Sequence, residues 1–140
     1  MKNINIDDGR EAITINGDPE RVIYIQATDF NIHVRNAQAR KNIQGIVASL
    51  DGANPENEEA FADLLDSVDK QIKEQINFIF NYDVSKAVFG PCSPLMELKN
   101  GKSYVQEFLE AIAPVIESAS KKAAKASEKR IAKHTARYEK

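Results

Sequence analysis

Histidines, carboxylates and serines are the side chains of this sequence that could carry chemistry. Their spacing does not match that of a catalytic or metal-binding site. His33 and His134 lie near opposite ends of the chain, without a cysteine or carboxylate at the spacing of zinc ligands. No serine has a histidine partner nearby in the sequence, and the six glycines form no phosphate-binding loop. The sequence therefore predicts no catalytic, metal-binding or cofactor-binding residue, and we expect a protein that is not an enzyme.

One dense group of carboxylates could suggest a calcium site. It lacks the glycine-punctuated spacing of a calcium-binding loop, so a solvated acidic helix face is the favoured interpretation. Its members are Glu56, Glu58, Glu59, Asp63, Asp66 and Asp69.

The only cysteine and the apolar runs indicate the compartment. Cys92 follows the apolar residues Val88 and Phe89, and a single cysteine forms no internal disulfide, so we expect a buried, unreactive thiol in a reducing cytoplasm. The longest apolar run, 78–80, is far shorter than the roughly 20 residues of a membrane-spanning helix. The first eight residues contain no apolar core of a secretory signal. A cytoplasmic protein without a membrane segment is predicted.

The net charge of −2 conceals an uneven distribution. Residues 119–140 hold eight basic and two acidic side chains, whereas residues 1–118 hold eleven basic and nineteen acidic ones. A length of 140 residues fits one domain. We therefore predict a single compact domain over 1–118 and a basic, alanine- and lysine-rich helical tail over 119–140. The tail is either a solvated helix face or a binding surface.

The first 28 residues of the chain have the pattern of strands. Residues 12–16 and 21–26 are rich in β-branched side chains and alternate between apolar and polar. Turn residues at 17–20 join them, which predicts an antiparallel hairpin. Ile4 and Ile6 alternate too, so a third strand would extend the hairpin into a meander.

From Asp29 onward the apolar period changes to that of helices. Asp29 is expected to cap a first helix, in which Gly45 marks a close helix approach or a weak point. Its predicted apolar face consists of Phe30, Val34, Ala37, Ile43, Ile46, Val47 and Leu50.

Asn54 and Pro55 are expected to begin a second helix. Its apolar stripe is formed by Phe61, Leu64, Leu65, Val68, Ile72, Ile76, Ile79 and Phe80. Asp83 is then expected to cap a short helix that Gly90 ends. The predicted fold class is α+β: a small antiparallel hairpin or meander, a mostly helical body and a long, kinked C-terminal helix.

The C-terminal helix, expected to start at Ser103, changes character along one stripe. Steps of three and four residues pass from large apolar to small and then to basic side chains: Val105, Leu109, Ile112, Ile116, Ala119, Ala123, Ala126, Arg130, Lys133, Arg137 and Lys140. The first four should pack in the core. The candidate partner-binding residues are Ala119, Ala123, Ala126, Arg130, Lys133 and Arg137. Pro114 should kink this helix or break it.

Four segments of the sequence support a resemblance to a known family. They are Gln26-Ala27-Thr28-Asp29-Phe30, the stretch 81–90 with Asn81-Tyr82-Asp83, Pro94-Leu95, and 108–116 before the lysine- and alanine-rich end. In this order they resemble the small tail assembly chaperones of long-tailed phages and prophages of Gram-positive bacteria.

The resemblance implies a function and partners. Proteins of that family are not enzymes. They bind the tape measure protein, keep it soluble in the host cytoplasm, help the tail tube protein polymerise around it, and are absent from the mature virion. A ribosomal frameshift often yields a second, longer product. Copies of this chain could also associate, because an acidic body and a basic tail allow a head-to-tail contact.

Two other functions stay open on the sequence. One is a nucleic-acid-binding or regulatory protein that uses the basic C-terminal helix. It is disfavoured because the acidic body would repel phosphates and Tyr138 is the only aromatic residue of the tail. The other is a structural component of the tail.

Overall fold

A two-stranded sheet followed by four helices makes up the described part of the chain. The computed structural model describes residues 1–26 and 29–138, with side chains to Ala119 and then at 121, 124, 125, 128, 129 and 131. The elements are β1 (Arg10–Ile15), β2 (Asp18–Gln26), α1 (Asn31–Ala48), α2 (Glu58–Phe80), α3 (Ser85–Phe89) and α4 (Tyr104–Tyr138). The predicted α+β class is confirmed.

The hairpin turns one residue earlier than the sequence pattern suggested. Asn16 and Gly17 both have positive φ, 54° and 69°, which suits a two-residue turn between right-twisted strands. The predicted turn at 17–20 is wrong, because Pro19 lies inside β2. It falls where the register is irregular between Thr14 and Ile15, so its missing N–H is tolerated.

The N-terminal segment does not form the third strand. Residues 1–9 lie outside every strand, and Ile4 and Ile6 are each 81% exposed. The Asp7 and Asp8 carboxylates accept hydrogen bonds from the backbone N–H groups of Gly9 and Arg10. These bonds turn the chain just before β1, and the meander expected from the sequence is reduced to a hairpin.

Helix α1 buries a different face from the one predicted. Its buried residues are Ile32, Asn36, Ala39 and Ile43. Phe30 and Val34 are 54% and 61% exposed, so the N-terminal half of the predicted stripe is wrong. The cause is a polar residue in the core face: Asn36 is buried with Ile32 and Ala39, whereas Val34 of the predicted stripe is exposed.

Asp29 lies one residue before the cap position of α1 and still stabilises the start of the helix. Its carboxylate accepts from the N–H of Asn31 at 2.9 Å and pairs with Arg35 at 3.0 Å. The Arg35 guanidinium also donates to the carbonyl of Ile79 at the end of α2. The two helices are thereby tied together where one begins and the other ends.

Gly45 marks no close helix approach, since a Cβ built there meets no atom within 4 Å. Glycine within a helix costs about 0.5–1 kcal/mol relative to alanine because it loses more backbone freedom. We therefore expect Gly45→Ala to raise the free energy of unfolding by that amount in urea denaturation. A lower free energy of unfolding would show that the site needs glycine.

Helix α2 begins three residues later than predicted. The Asn57 side chain accepts from the N–H of Ala60, whereas the Asn54 side chain accepts from Glu56 within the preceding turn. Asn54 as the cap is therefore wrong. The predicted stripe is confirmed at five buried positions, with Leu65 exposed at its edge. The buried residues are Val68, Ile72, Ile76, Ile79 and Phe80.

The short helix after Asp83 and its end at Gly90 are confirmed, but the cap position is Val84, so Asp83 as the cap is wrong. Hydrogen bonds from the Ser85 hydroxyl and N–H lower the pKa of Asp83. Near the end of α2, the side-chain oxygen Oδ1 of Asn77 accepts from the N–H groups of Val84 and Ser85. Cys92, which we expected to be buried, is only half-buried.

Candidate partner-binding helix

Helix α4 starts next to Ser103, where the sequence pattern predicted its start. The Ser103 hydroxyl accepts from the N–H of Gln106 at 3.3 Å, and the helix continues without interruption from Tyr104 to Tyr138. Pro114 lies inside it with an exposed ring. The alternative of a helix break at Pro114 is therefore wrong.

The proximal half of α4, residues 104–119, is part of the protein core. Every apolar position of the predicted stripe in this half is buried, at 1–7% exposure: Val105, Leu109, Ile112, Ile116 and Ala119. The core packing predicted for the large apolar positions is confirmed. Ala119 extends that packing by one step, so its methyl group is covered by the protein itself.

The other predicted partner-binding residues follow Ala119 along the helix. The backbone of 120–138 continues α4, while the side chains of Ala123, Ala126, Arg130, Lys133 and Arg137 lie outside the described residues. Lys121, Lys125 and Lys129 are described in this half, and all are exposed. The structure therefore separates Ala119 from the remaining candidates.

An arginine in the hairpin fixes the start of α4. The Arg21 guanidinium donates to the carbonyls of Ala87 and Val88 at 2.8 and 2.7 Å and to the Tyr104 hydroxyl at 2.9 Å. That hydroxyl in turn donates to the Val88 carbonyl. A Cβ on Gly90 would lie 3.1 Å from the Arg21 Cζ, so glycine makes room for this cluster. We call these residues the Arg21 cluster. No pattern in the sequence indicated this cluster.

A surface ion pair joins α4 to the loop before it. The Lys102 ammonium contacts the Glu110 carboxylate, with both side chains 42% exposed. The hydrogen bond to Glu110 raises the pKa of Lys102, and the same bond lowers the pKa of Glu110. Because both groups are well solvated, the pair orients the loop more than it stabilises the fold.

The first turns of α4 also border a groove against α1. The groove has a volume of about 390 Å³. Its apolar floor is formed by Ile43, Val105 and Leu109, and Arg40 and Glu110 contribute charges at its rim. The proximal half of α4 therefore contacts both α1 and the hairpin. The distal half, residues 120–138, continues the helix from there.

Asn36 is the polar exception in the core. It is 7% exposed, and its side-chain carbonyl oxygen has no hydrogen-bond partner. An unpaired buried acceptor costs about 1–3 kcal/mol. We expect Asn36→Leu to raise the free energy of unfolding by about 1 kcal/mol in urea denaturation, because it removes this acceptor. Asn36→Asp, the matched control of the same shape, should lower it. A destabilising leucine and a neutral aspartate would contradict this description of the site.

The charged face of α2 has the arrangement of a solvated helix surface. Lys70 pairs with Asp66 and Lys73 with Asp69, each at 3.0 Å and four residues apart. The bond to Asp66 raises the pKa of Lys70. Among the described residues, no group of three histidine, cysteine or acidic side chains is placed to hold a metal ion.

Comparison with protein-family models, with curated proteins and with solved structures found no match to this chain. Within the described residues, no helix is both long and apolar enough to cross a membrane. A functional proposal therefore depends on the chain's own residues, on the geometry of α4 and on the resemblance described above.

Proposed function

We propose that this protein is a non-enzymatic phage tail assembly chaperone. It binds the tape measure protein in the host cytoplasm, keeps it soluble and assists polymerisation of the tail tube protein around it. It leaves before the virion is complete. The binding element is the distal half of α4, residues 120–138.

The observation that carries the proposal is that helix α4 continues well past the buried residue Ala119. Among the described side chains Ala119 is the last buried one, and those described beyond it are exposed, yet the helix continues to Tyr138. At about 1.5 Å per residue, 120–138 add about 28 Å of helix. An isolated helix of that length is marginal in water, so a partner would stabilise it.

The composition of the distal half suits a long helical client. Ala124 is exposed, and the small residues of the stripe allow another helix to approach closely. The exposed Lys121, Lys125 and Lys129 add positive charge. Cations favour contacts with carboxylates and with the negative ends of helices. Such a surface would cover apolar segments of a client and keep the complex charged on its outside.

Co-expression tests the proposal. A tape measure protein would be produced alone, with the full chain, or with the chain ending at Ala119. We expect the full chain to move most of the tape measure protein into the soluble fraction. The shortened chain should fail while its core remains folded, because Ala119 closes the buried stripe.

Failure of the full chain to solubilise the client would refute the chaperone proposal. Equal rescue by the shortened chain would instead refute the assignment of 120–138 as the binding element. Circular dichroism of the shortened chain provides the folding control that separates these outcomes from simple misfolding.

A nucleic-acid-binding function is the second candidate, favoured by the basic residues of 119–140. It would give DNA affinity that falls steeply with salt and disappears when Lys129, Arg130, Lys133 and Arg137 are neutralised. Filter binding at several salt concentrations distinguishes the two functions. The third hypothesis is a structural tail component, which would be found in purified virions, whereas a chaperone would be absent from them.

A further inference from the structure

The small sheet has an open edge. Within the described residues, β1 pairs with β2 alone, so the opposite edge of β1 has no strand beside it. Exposed strand edges readily accept another strand, because their backbone N–H and C=O groups are already aligned for it.

An apolar groove lies beside that edge. It has a volume of about 360 Å³ and runs between the turn-proximal half of β1 and α4. Its apolar lining consists of Ile13, Ile15, Leu98, Phe108, Ala111, Ile112 and Val115. Side chains of a strand alternate between its two faces, so a strand added to β1 would place every second residue over this groove.

The N-terminal segment has the pattern that the groove requires. Residues 2–6 place Ile4 and Ile6 two positions apart, between polar residues. Both are β-branched, which suits strands, and each is 81% exposed. The same chain therefore contains an unpaired strand edge with an apolar groove and an unpaired segment with a matching apolar face.

The geometry at the start of β1 favours exchange between copies over closure within one chain. The N–H of Arg10, which a hairpin closed at 8–9 would use, already donates to the Asp8 carboxylate at 3.1 Å. Such a hairpin would also place Ile4 opposite Ile13 and Ile6 opposite Glu11, so only one isoleucine would reach the groove.

A segment from another copy has no turn to fix its register. It can lie antiparallel to β1 with Ile6 opposite Ile13 and Ile4 opposite Ile15, which brings both side chains over the groove. Exchange of an identical segment in both directions covers the β1 edge of both copies in a two-fold dimer.

We propose that residues 2–6 of one copy add as an antiparallel strand to β1 of a second copy. Ile4 and Ile6 fill the groove beside Ile13 and Ile15, and the exchange is reciprocal. This dimer is independent of client binding by α4.

Sedimentation at several concentrations tests the dimer with a matched pair of variants. Ile4→Glu with Ile6→Glu changes the groove-facing side chains, whereas Asn3→Glu with Asn5→Glu adds the same charge to the other face. We expect the unmodified chain and the asparagine variant to sediment at twice 15.6 kDa and the isoleucine variant at 15.6 kDa. Circular dichroism should show that both variants stay folded. A chain that is monomeric at all concentrations, or a dimer that survives the isoleucine variant, overturns the proposal.

Cross-linking distinguishes exchange from closure within one chain. In the exchanged register Asn5 lies opposite Thr14, at a distance that a disulfide can span. In a Cys92→Ser background, mixing the Asn5→Cys chain with the Thr14→Cys chain should give a cross-linked dimer under oxidation. Absence of that product, or an internal disulfide in a chain carrying Asn5→Cys and Ala12→Cys, overturns the proposal.

Discussion

Replacement of Arg21 by alanine is expected to lower the free energy of unfolding by about 2–4 kcal/mol. The substitution removes three hydrogen bonds that the charged Arg21 guanidinium donates. They join β2 to the last turn of α3 and to the first residue of α4, so three elements lose a common contact. Urea denaturation measures the change.

Arg10 and a lysine at position 21 provide the controls for this prediction. The Arg10 guanidinium lies over the exposed ring of Tyr24 at 4.5 Å, so Arg10→Ala should cost less than about 1 kcal/mol. Arg21→Lys keeps the charge but loses the planar fork of donors, and its cost should lie between the two. If Arg21→Ala and Arg10→Ala were equally mild, the Arg21 cluster would not stabilise the start of α4.

Charge reversal in the distal half of α4 is expected to abolish client binding without unfolding the protein. The variant combines Arg130→Glu, Lys133→Glu and Arg137→Glu, which lie one helical turn apart along the predicted stripe. We expect the affinity for the tape measure protein to fall at least about tenfold, equivalent to at least about 1.4 kcal/mol, and the soluble fraction of the co-expressed client to fall with it. Because the variant leaves every described buried position of the stripe unchanged, from Val105 to Ala119, the thermal midpoint should stay unchanged.

A second triple variant controls for net charge alone. Lys2, Lys41 and Lys99 are exposed on the body of the protein, and their replacement by glutamate changes the charge by the same amount. This variant should keep client binding. Equal loss in both variants would mean that the overall charge, and not the distal half of α4, determines solubility of the client.

Regular apolar periodicity explains which elements the sequence predicted correctly. In α2 and in the proximal half of α4, large apolar residues recur at helical spacing with charged residues opposite, so one face is clearly marked. The start of α4 next to Ser103 and the end of α3 at Gly90 follow from local backbone chemistry. Such features need only neighbouring residues, and these predictions are confirmed.

Long-range contacts explain what the sequence did not reveal. Arg21 finds its partners 66–83 residues away, and no local pattern marks them. The face of α1 was misjudged because Asn36 is buried while Val34 is exposed, an exchange that only the packed helices define. Asn54 and Asn57 are equally suitable caps by residue type. The predicted third strand needs a neighbouring strand that residues 1–9 do not reach in this fold.

The partner-binding site was predicted by composition more than by geometry. The excess of basic residues over 119–140 is visible in the sequence, and the structure adds where the core ends. Ala119 belongs to that core, so the binding region that we propose begins at residue 120. This boundary determines the shortened chain used in the co-expression test.

Hydrogen exchange of the complex tests client binding by α4 most directly. Amide exchange would be measured by mass spectrometry on the full chain alone and on the complex purified after co-expression with the tape measure protein. We expect strong slowing of exchange across 120–138 in the complex and little change in α2, whose buried face is already packed. Unchanged exchange across 120–138, with new protection only in the body of the protein, would contradict the proposed role of α4.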